Sequence, residues 1–91
     1  MSTYVVDTSV TVAWYVPESF SFAARQWQER LLSGRVRLMA PSLHYWEFAN
    51  VLRTLTVRGQ LSADVAAEIY DVHLDSPIET RDPGRRDILR V

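Results

Sequence analysis

Two short β-prone runs, Tyr4-Val5-Val6 and Arg35-Val36-Arg37-Leu38-Met39-Ala40, lie far apart in the first half of the chain, with a full helix-forming stretch between them. No tight hairpin joins strands that distant. A helical crossover does, and crossovers of this length favour parallel pairing. Tyr4-Val5-Val6 has no polar alternation, which predicts a strand covered on both faces. A further short strand is expected at Pro77-Ile78-Glu79. Strand, helices, strand, helices, strand is an α/β order, and 91 residues allow one small domain.

Punctuation residues set the helices. Asp7, Thr8 and Ser9 are helix N-cap types in a row, followed by an apolar stretch from Val10 to Val16 that Pro17 ends. Ser19 or Ser21 is expected to cap a second helix. In it Phe20, Ala23 or Ala24, Trp27 and Leu31 recur at helical spacing, and Gly34 falls where a C′ glycine belongs. Ser42 is expected to cap the longest helix, running through Arg58 to a stop at Gly59. Ser62 should cap another reaching about His73, with Val65, Ala66, Ile69, Tyr70 and Val72 as its apolar set. Asp82-Pro83-Gly84 reads as a turn, and Arg85 onward as the opening of a helix.

Missing residue types narrow the chemistry. Without Cys there is no disulfide, thiolate nucleophile or Cys-ligated zinc. Without Lys there is no Walker-A or Schiff-base lysine, and all 10 positive charges are Arg. Eleven acids bring the net charge to -1, so a broad basic footprint for nucleic acid is missing. Contact with nucleic acid must be local or helped by a cation. No apolar run approaches the roughly 20 residues of a membrane span, and Met1-Ser2-Thr3 lacks the basic lead of a signal peptide. A cytoplasmic protein without membrane contact is expected.

In open parallel sheets, ligands bind beyond the carboxyl ends of strands. Asp7 stands at such an end. It suits either a helix cap or a ligand to Mg²⁺, which takes one or two carboxylates and keeps several waters, and the two roles are compatible. On the long helix Glu47, Asn50 and Thr54 fall within roughly 60° of one another. Phe48, Leu52 and Leu55 occupy the opposite side, and Trp46, Val57 and Val51 flank the polar strip. A strip this narrow fits either a solvated face or the lining of a cleft.

Other constellations fail. Asp7-x-Ser9 lacks the second aspartate of an Asp-x-Asp motif, the glycines are too scattered for a phosphate loop, and no Gly-x-Ser-x-Gly elbow occurs. His44 and His73 show no metal-ligand spacing and read as surface or structural histidines. Arg81, Arg85, Arg86 and Arg90 alternate with Asp82 and Asp87, which suits helix ion pairs better than phosphate binding.

Tyr4-Val5-Val6-Asp7-Thr8-Ser9-Val10 through Trp14 and Pro17-Glu18 resembles the opening of PIN-domain proteins, particularly VapC-type toxins of bacterial toxin–antitoxin pairs. Ala40-Pro41-Ser42-Leu43 through Glu47-Phe48-Ala49-Asn50-Val51-Leu52, and then Arg58-Gly59-Gln60-Leu61-Ser62, match that family in type and order. The resemblance implies a three-layer α/β/α fold with a parallel sheet and a metal-dependent endoribonuclease that cuts RNA with Mg²⁺ or Mn²⁺. Asp7 matches the family's first acid, a direct metal ligand. Glu47 matches its second, which organises the metal and its waters. Thr8 or Ser9 and Asn50 match supporting polar positions.

The partners implied are an antitoxin protein, the RNA substrate and a second copy of the chain. Trp14, Trp27, Tyr45 and Trp46 are candidates for contact, although core packing suits most of them. Family members continue past the position of Val91 with further strands and acids. The expectation is therefore a single partial domain over residues 1–91 lacking its C-terminal strands, with Tyr4-Val5-Val6 left at an apolar sheet edge. The rival expectation is a non-catalytic antitoxin-binding or dimerisation module derived from such a domain.

Overall fold

The computed structural model describes residues 1–82. The expected turn at Pro83-Gly84, the helix from Arg85 and the readings of Arg85, Arg86, Asp87 and Arg90 lie outside the described residues. In chain order the elements are β1 (Ser2–Val5), α1 (Thr8–Val12), α2 (Ser21–Leu32), β2 (Val36–Ala40), α3 (His44–Val57), α4 (Ala63–Leu74) and β3 (Glu79–Thr80). The α/β class and the parallel sheet are as expected. β1 pairs with β2 from Ser2 beside Val36 to Val5 beside Met39, and β2 pairs with β3 at Met39 beside Glu79, both in parallel.

Sheet order among the described residues is β1-β2-β3, which leaves β1 at an edge. The expectation that Tyr4-Val5-Val6 is covered on both faces is overturned. Tyr4 shares a face with Leu38, whereas Val5 shares the other with Met39 and Glu79 and is 79% exposed. On that open face Arg37 pairs with Glu79 at 2.5 Å. Only Val6, just past the strand, is buried, and its N–H donates to Met39 O at 2.8 Å to close the ladder.

The covered face carries the first core. Leu38 and Ala40 of β2 meet Ala24 and Leu31 of α2, with Val6, Ala13, Trp14 and Ile78 completing the cluster. A second core joins Val12 of α1 to Phe48 and Leu52 of α3, with Ala66, Ile69 and Tyr70 of α4 packed against it. Tyr15 touches both clusters and so couples the sheet to the α3–α4 hairpin.

Helix ends follow the punctuation unevenly. Ser62 caps α4 by accepting from the Val65 N–H at 3.2 Å. Gly34 (φ 77°) and Gly59 (φ 76°) end α2 and α3 in left-handed turns. In both, the paired bonds of a Schellman motif form: Gly34 N–H to Leu31 O and Arg35 N–H to Arg30 O, then Gly59 N–H to Thr56 O and Gln60 N–H to Leu55 O.

Ser42 does not cap α3. Its backbone N–H and its hydroxyl both donate to Asp82 Oδ1, at 3.1 and 2.5 Å, so its side chain ties the start of α3 to the segment after β3. Those two bonds hold the Asp82 carboxyl below its usual range. The α3 N-cap position is Leu43, with helical backbone angles and no side-chain cap. Ser21 lies inside α2 rather than ahead of it, and its hydroxyl oxygen accepts from the Glu18 N–H at 2.8 Å.

Candidate active site

Asp7 stands where β1 has just ended and α1 begins. Its backbone is extended (φ -87°, ψ 148°), and its carbonyl accepts from Val10 and Thr11, the first bonds of the helix. Asp7 Oδ1 accepts from the Thr8 N–H at 3.0 Å and Oδ2 from the Ser9 hydroxyl at 2.8 Å. The capping role is therefore real. Each carboxylate oxygen has a second lone pair, so capping leaves acceptor capacity turned to solvent.

Glu47 comes from the first turn of α3, where a negative charge suits the helix dipole. Its Oε2 accepts from the hydroxyl of Thr8 at 3.0 Å. Thr8 thus gives its backbone N–H to one acid and its side-chain O–H to the other. Asp7, Thr8, Ser9 and Glu47 line one open hollow of about 340 Å³, joined by Glu18 and the exposed ring of Phe20. Glu18, quoted above only as part of a motif, is an acid whose membership in this hollow no helical or strand periodicity announces.

Asn50 is not brought into that hollow. It is exposed one turn further along α3 and lines a separate recess with Arg53, Thr54 and Arg58. Of the aromatic candidates, Trp14 is buried in the first core and Trp27 packs against it, edge-on to Tyr4 with ring centres 4.8 Å apart. Trp46, beside Glu47, is 73% exposed.

Behind Glu47 lies a buried polar relay. Thr8 Oγ1 is 3.3 Å from His44 Nδ1, and His44 Nε2 is 2.9 Å from His73 Nε2. His73 Nδ1 is 2.9 Å from the Tyr15 hydroxyl, itself 3.3 Å from Ser76 Oγ. Both histidines are buried, as a structural reading of them requires, and Phe48 stacks on His73 with ring centres 3.9 Å apart. Burial pushes the His73 imidazole down to about 4, with the neighbouring His44 adding to the effect. Burial also lowers His44, against the partial opposition of Glu47 and Asp7. The Tyr15 hydroxyl is pushed up, chiefly by burial. Both rings are therefore neutral near pH 7.

The relay has a sequence signal, though a weak one. His44 occupies the same apolar stripe as Phe48 and Leu52, and His73 the stripe of Ala66, Ile69 and Tyr70. Helical spacing predicts burial for both but does not predict that they meet each other.

The donor set fits one small hard cation. Asp7 and Glu47 are exposed carboxylates on one hollow, and Mg²⁺ takes one or two carboxylates while keeping waters. Among the described residues no group of three or more His, Cys, Asp or Glu is placed to hold an ion unaided. A family profile described as "PIN domain" matches residues 4–89. No curated protein matches the chain.

Proposed function

The chain belongs to the PIN-domain family, whose members are in general metal-dependent nucleases, and on that premise we propose that it is a metal-dependent endoribonuclease of the VapC toxin type. The observation that carries this reading is the meeting of Asp7, at the carboxyl end of β1, with Glu47 of α3 on the single residue Thr8. Asp7 and Glu47 would hold Mg²⁺ or Mn²⁺, with Thr8 and Ser9 fixing their carboxylates by hydrogen bonds. When bound, such a cation neutralises phosphate charge and acidifies water. Glu47 would orient the attacking water by accepting a hydrogen bond from it.

The chain's slight negative charge, -1, makes a local cation the natural means of drawing in an RNA phosphodiester. Phe20, 44% exposed on the rim of the hollow, offers a face for an unpaired base. An antitoxin covering the site, a second copy of the chain and a cytoplasmic setting complete the proposal. No helix among the described residues is long and apolar enough to cross a membrane.

One observation favours a second reading. Asp7, Glu47 and Glu18 all line the hollow, yet among the described residues no three acids are grouped to hold one ion. A non-catalytic antitoxin-binding or dimerisation module would keep such a partial site. Incubation of the protein with a mixed structured-RNA pool, in Mg²⁺ or Mn²⁺ and in EDTA, separates the two. Cutting that needs the metal and disappears in Asp7→Asn supports the nuclease. Absence of cutting by folded protein supports the module.

A further inference from the structure

The relay behind Glu47 has a direction, and the chemistry of its members sets it. An ionised carboxylate only accepts, so the Thr8 hydroxyl donates to Glu47 and its oxygen is left to accept from His44 Nδ1–H. A neutral ring protonated at Nδ1 has a bare Nε2, so His73 Nε2–H donates to it. His73 Nδ1 is then bare and accepts from the Tyr15 hydroxyl, whose oxygen accepts in turn from Ser76. Every bond runs the same way and ends on Glu47. The opposite order is also internally consistent, but it needs Thr8 to donate to His44 and so to release the carboxylate.

We infer that His44, His73 and Tyr15 are positioning residues whose ordered hydrogen bonds keep the Thr8 hydroxyl on Glu47, while the Glu47 carboxylate selects which of the two proton orders the relay adopts. This rests on the reading of Glu47 as an acid that organises a cation, but the proton order itself exists in the metal-free protein. Packing alone gives no reason for the arrangement: an aromatic pair would fill the same space beside Phe48 without a polar path to the hollow. Hydrogen bonds of this kind behind a metal-binding group commonly tune its affinity by about tenfold or more.

Long-range proton–nitrogen NMR of the metal-free protein at pH 7 reads the tautomers directly. The expected result is Nδ1–H on His44 and Nε2–H on His73, with both reversed in Glu47→Ala, where Thr8 is free to donate to His44. The opposite tautomers in the unaltered protein, a charged ring, or tautomers that ignore Glu47→Ala would overturn the inference. A second arm measures Mn²⁺ affinity by electron paramagnetic resonance in His44→Asn, whose amide nitrogen occupies the place of Nδ1, and in His44→Phe. Positioning predicts that Asn stays close to the unaltered protein while Phe weakens binding about tenfold. The reverse ranking, Phe retained and Asn lost, is the mark of a packing role and contradicts the inference. Predicted tautomers in a protein that binds no Mn²⁺ would sink the metal reading and leave the relay supported.

Discussion

Thr8 Oγ1 lies 3.0 Å from Glu47 Oε2, and this one hydrogen bond joins the first residue of α1 to a residue of α3 39 positions later. Removing the hydroxyl while keeping the shape tests what the contact does. Thr8→Val leaves His44 Nδ1–H without its acceptor in a buried place, a cost of about 1–3 kcal/mol. Denaturant unfolding should show that loss. Thr8→Ser, which restores the hydroxyl, should recover most of it. Equal stability of the Val and Ser variants would mean that the hydrogen bond is not made in solution.

Phe48 is fully buried and stacks on His73 between α3 and α4. Phe48→Ala should cost about 3–5 kcal/mol, a large part of the roughly 5–15 kcal/mol that holds a small domain together. The expected result is a protein near the edge of unfolding at room temperature by circular dichroism. A loss below about 1 kcal/mol would place the α3–α4 hairpin outside the cooperative core.

Acid should weaken the fold through the histidine pair. His73 binds its proton near pH 6.5 when unfolded but only at about 4 when folded, because burial disfavours the charged ring. The unfolded chain therefore takes up protons first as the pH falls. The stabilisation is complete above pH 6.5 and is lost progressively as the pH drops toward 4. Between pH 7 and pH 5 the loss from His73 should reach about 1–2 kcal/mol, with His44 acting in the same direction. Unfolding curves at the two pH values check this, and a His73→Phe variant should lose much of the dependence.

Gly34 and Gly59 have positive φ and open space where a Cβ would sit, so the cost of adding one is backbone strain alone. Gly34→Ala and Gly59→Ala should each destabilise by about 1 kcal/mol. Thermal melts would register this as a small fall in Tm, and no fall would mean that the Schellman turns relax without cost.

How much the sequence disclosed depended on whether a residue's partner was local. Ser62 caps α4 through an N–H three residues on, and both stop glycines close turns within their own helices, so punctuation located them. Ser42 has the same chemistry, but Asp82, forty residues away, competes for it and wins. Asp7 was legible because the end of a strand fixes its position, and Glu47 because it stands on the polar strip of a regular helix. Asn50 shares that strip, yet one further turn of α3 carries it to another recess. The histidine relay was hidden for the same reason as Ser42's bond: helical spacing predicts that His44 and His73 are buried, whereas only the docking of α3 on α4 makes them partners. The edge position of β1 among the described residues agrees with the expectation drawn from the resemblance, whereas its apolar run alone does not distinguish two covered faces from one open one.

The proposed nuclease function turns on Asp7 and Glu47 serving one cation. Mn²⁺ binding to the unaltered protein, Asp7→Asn, Glu47→Gln and the double variant, followed by electron paramagnetic resonance of the free ion, tests it directly. A shared site predicts that each single change weakens binding at least about tenfold and that the double change adds little beyond the more damaging single one. Losses that simply add, or Mn²⁺ affinity that neither substitution alters, would contradict the account.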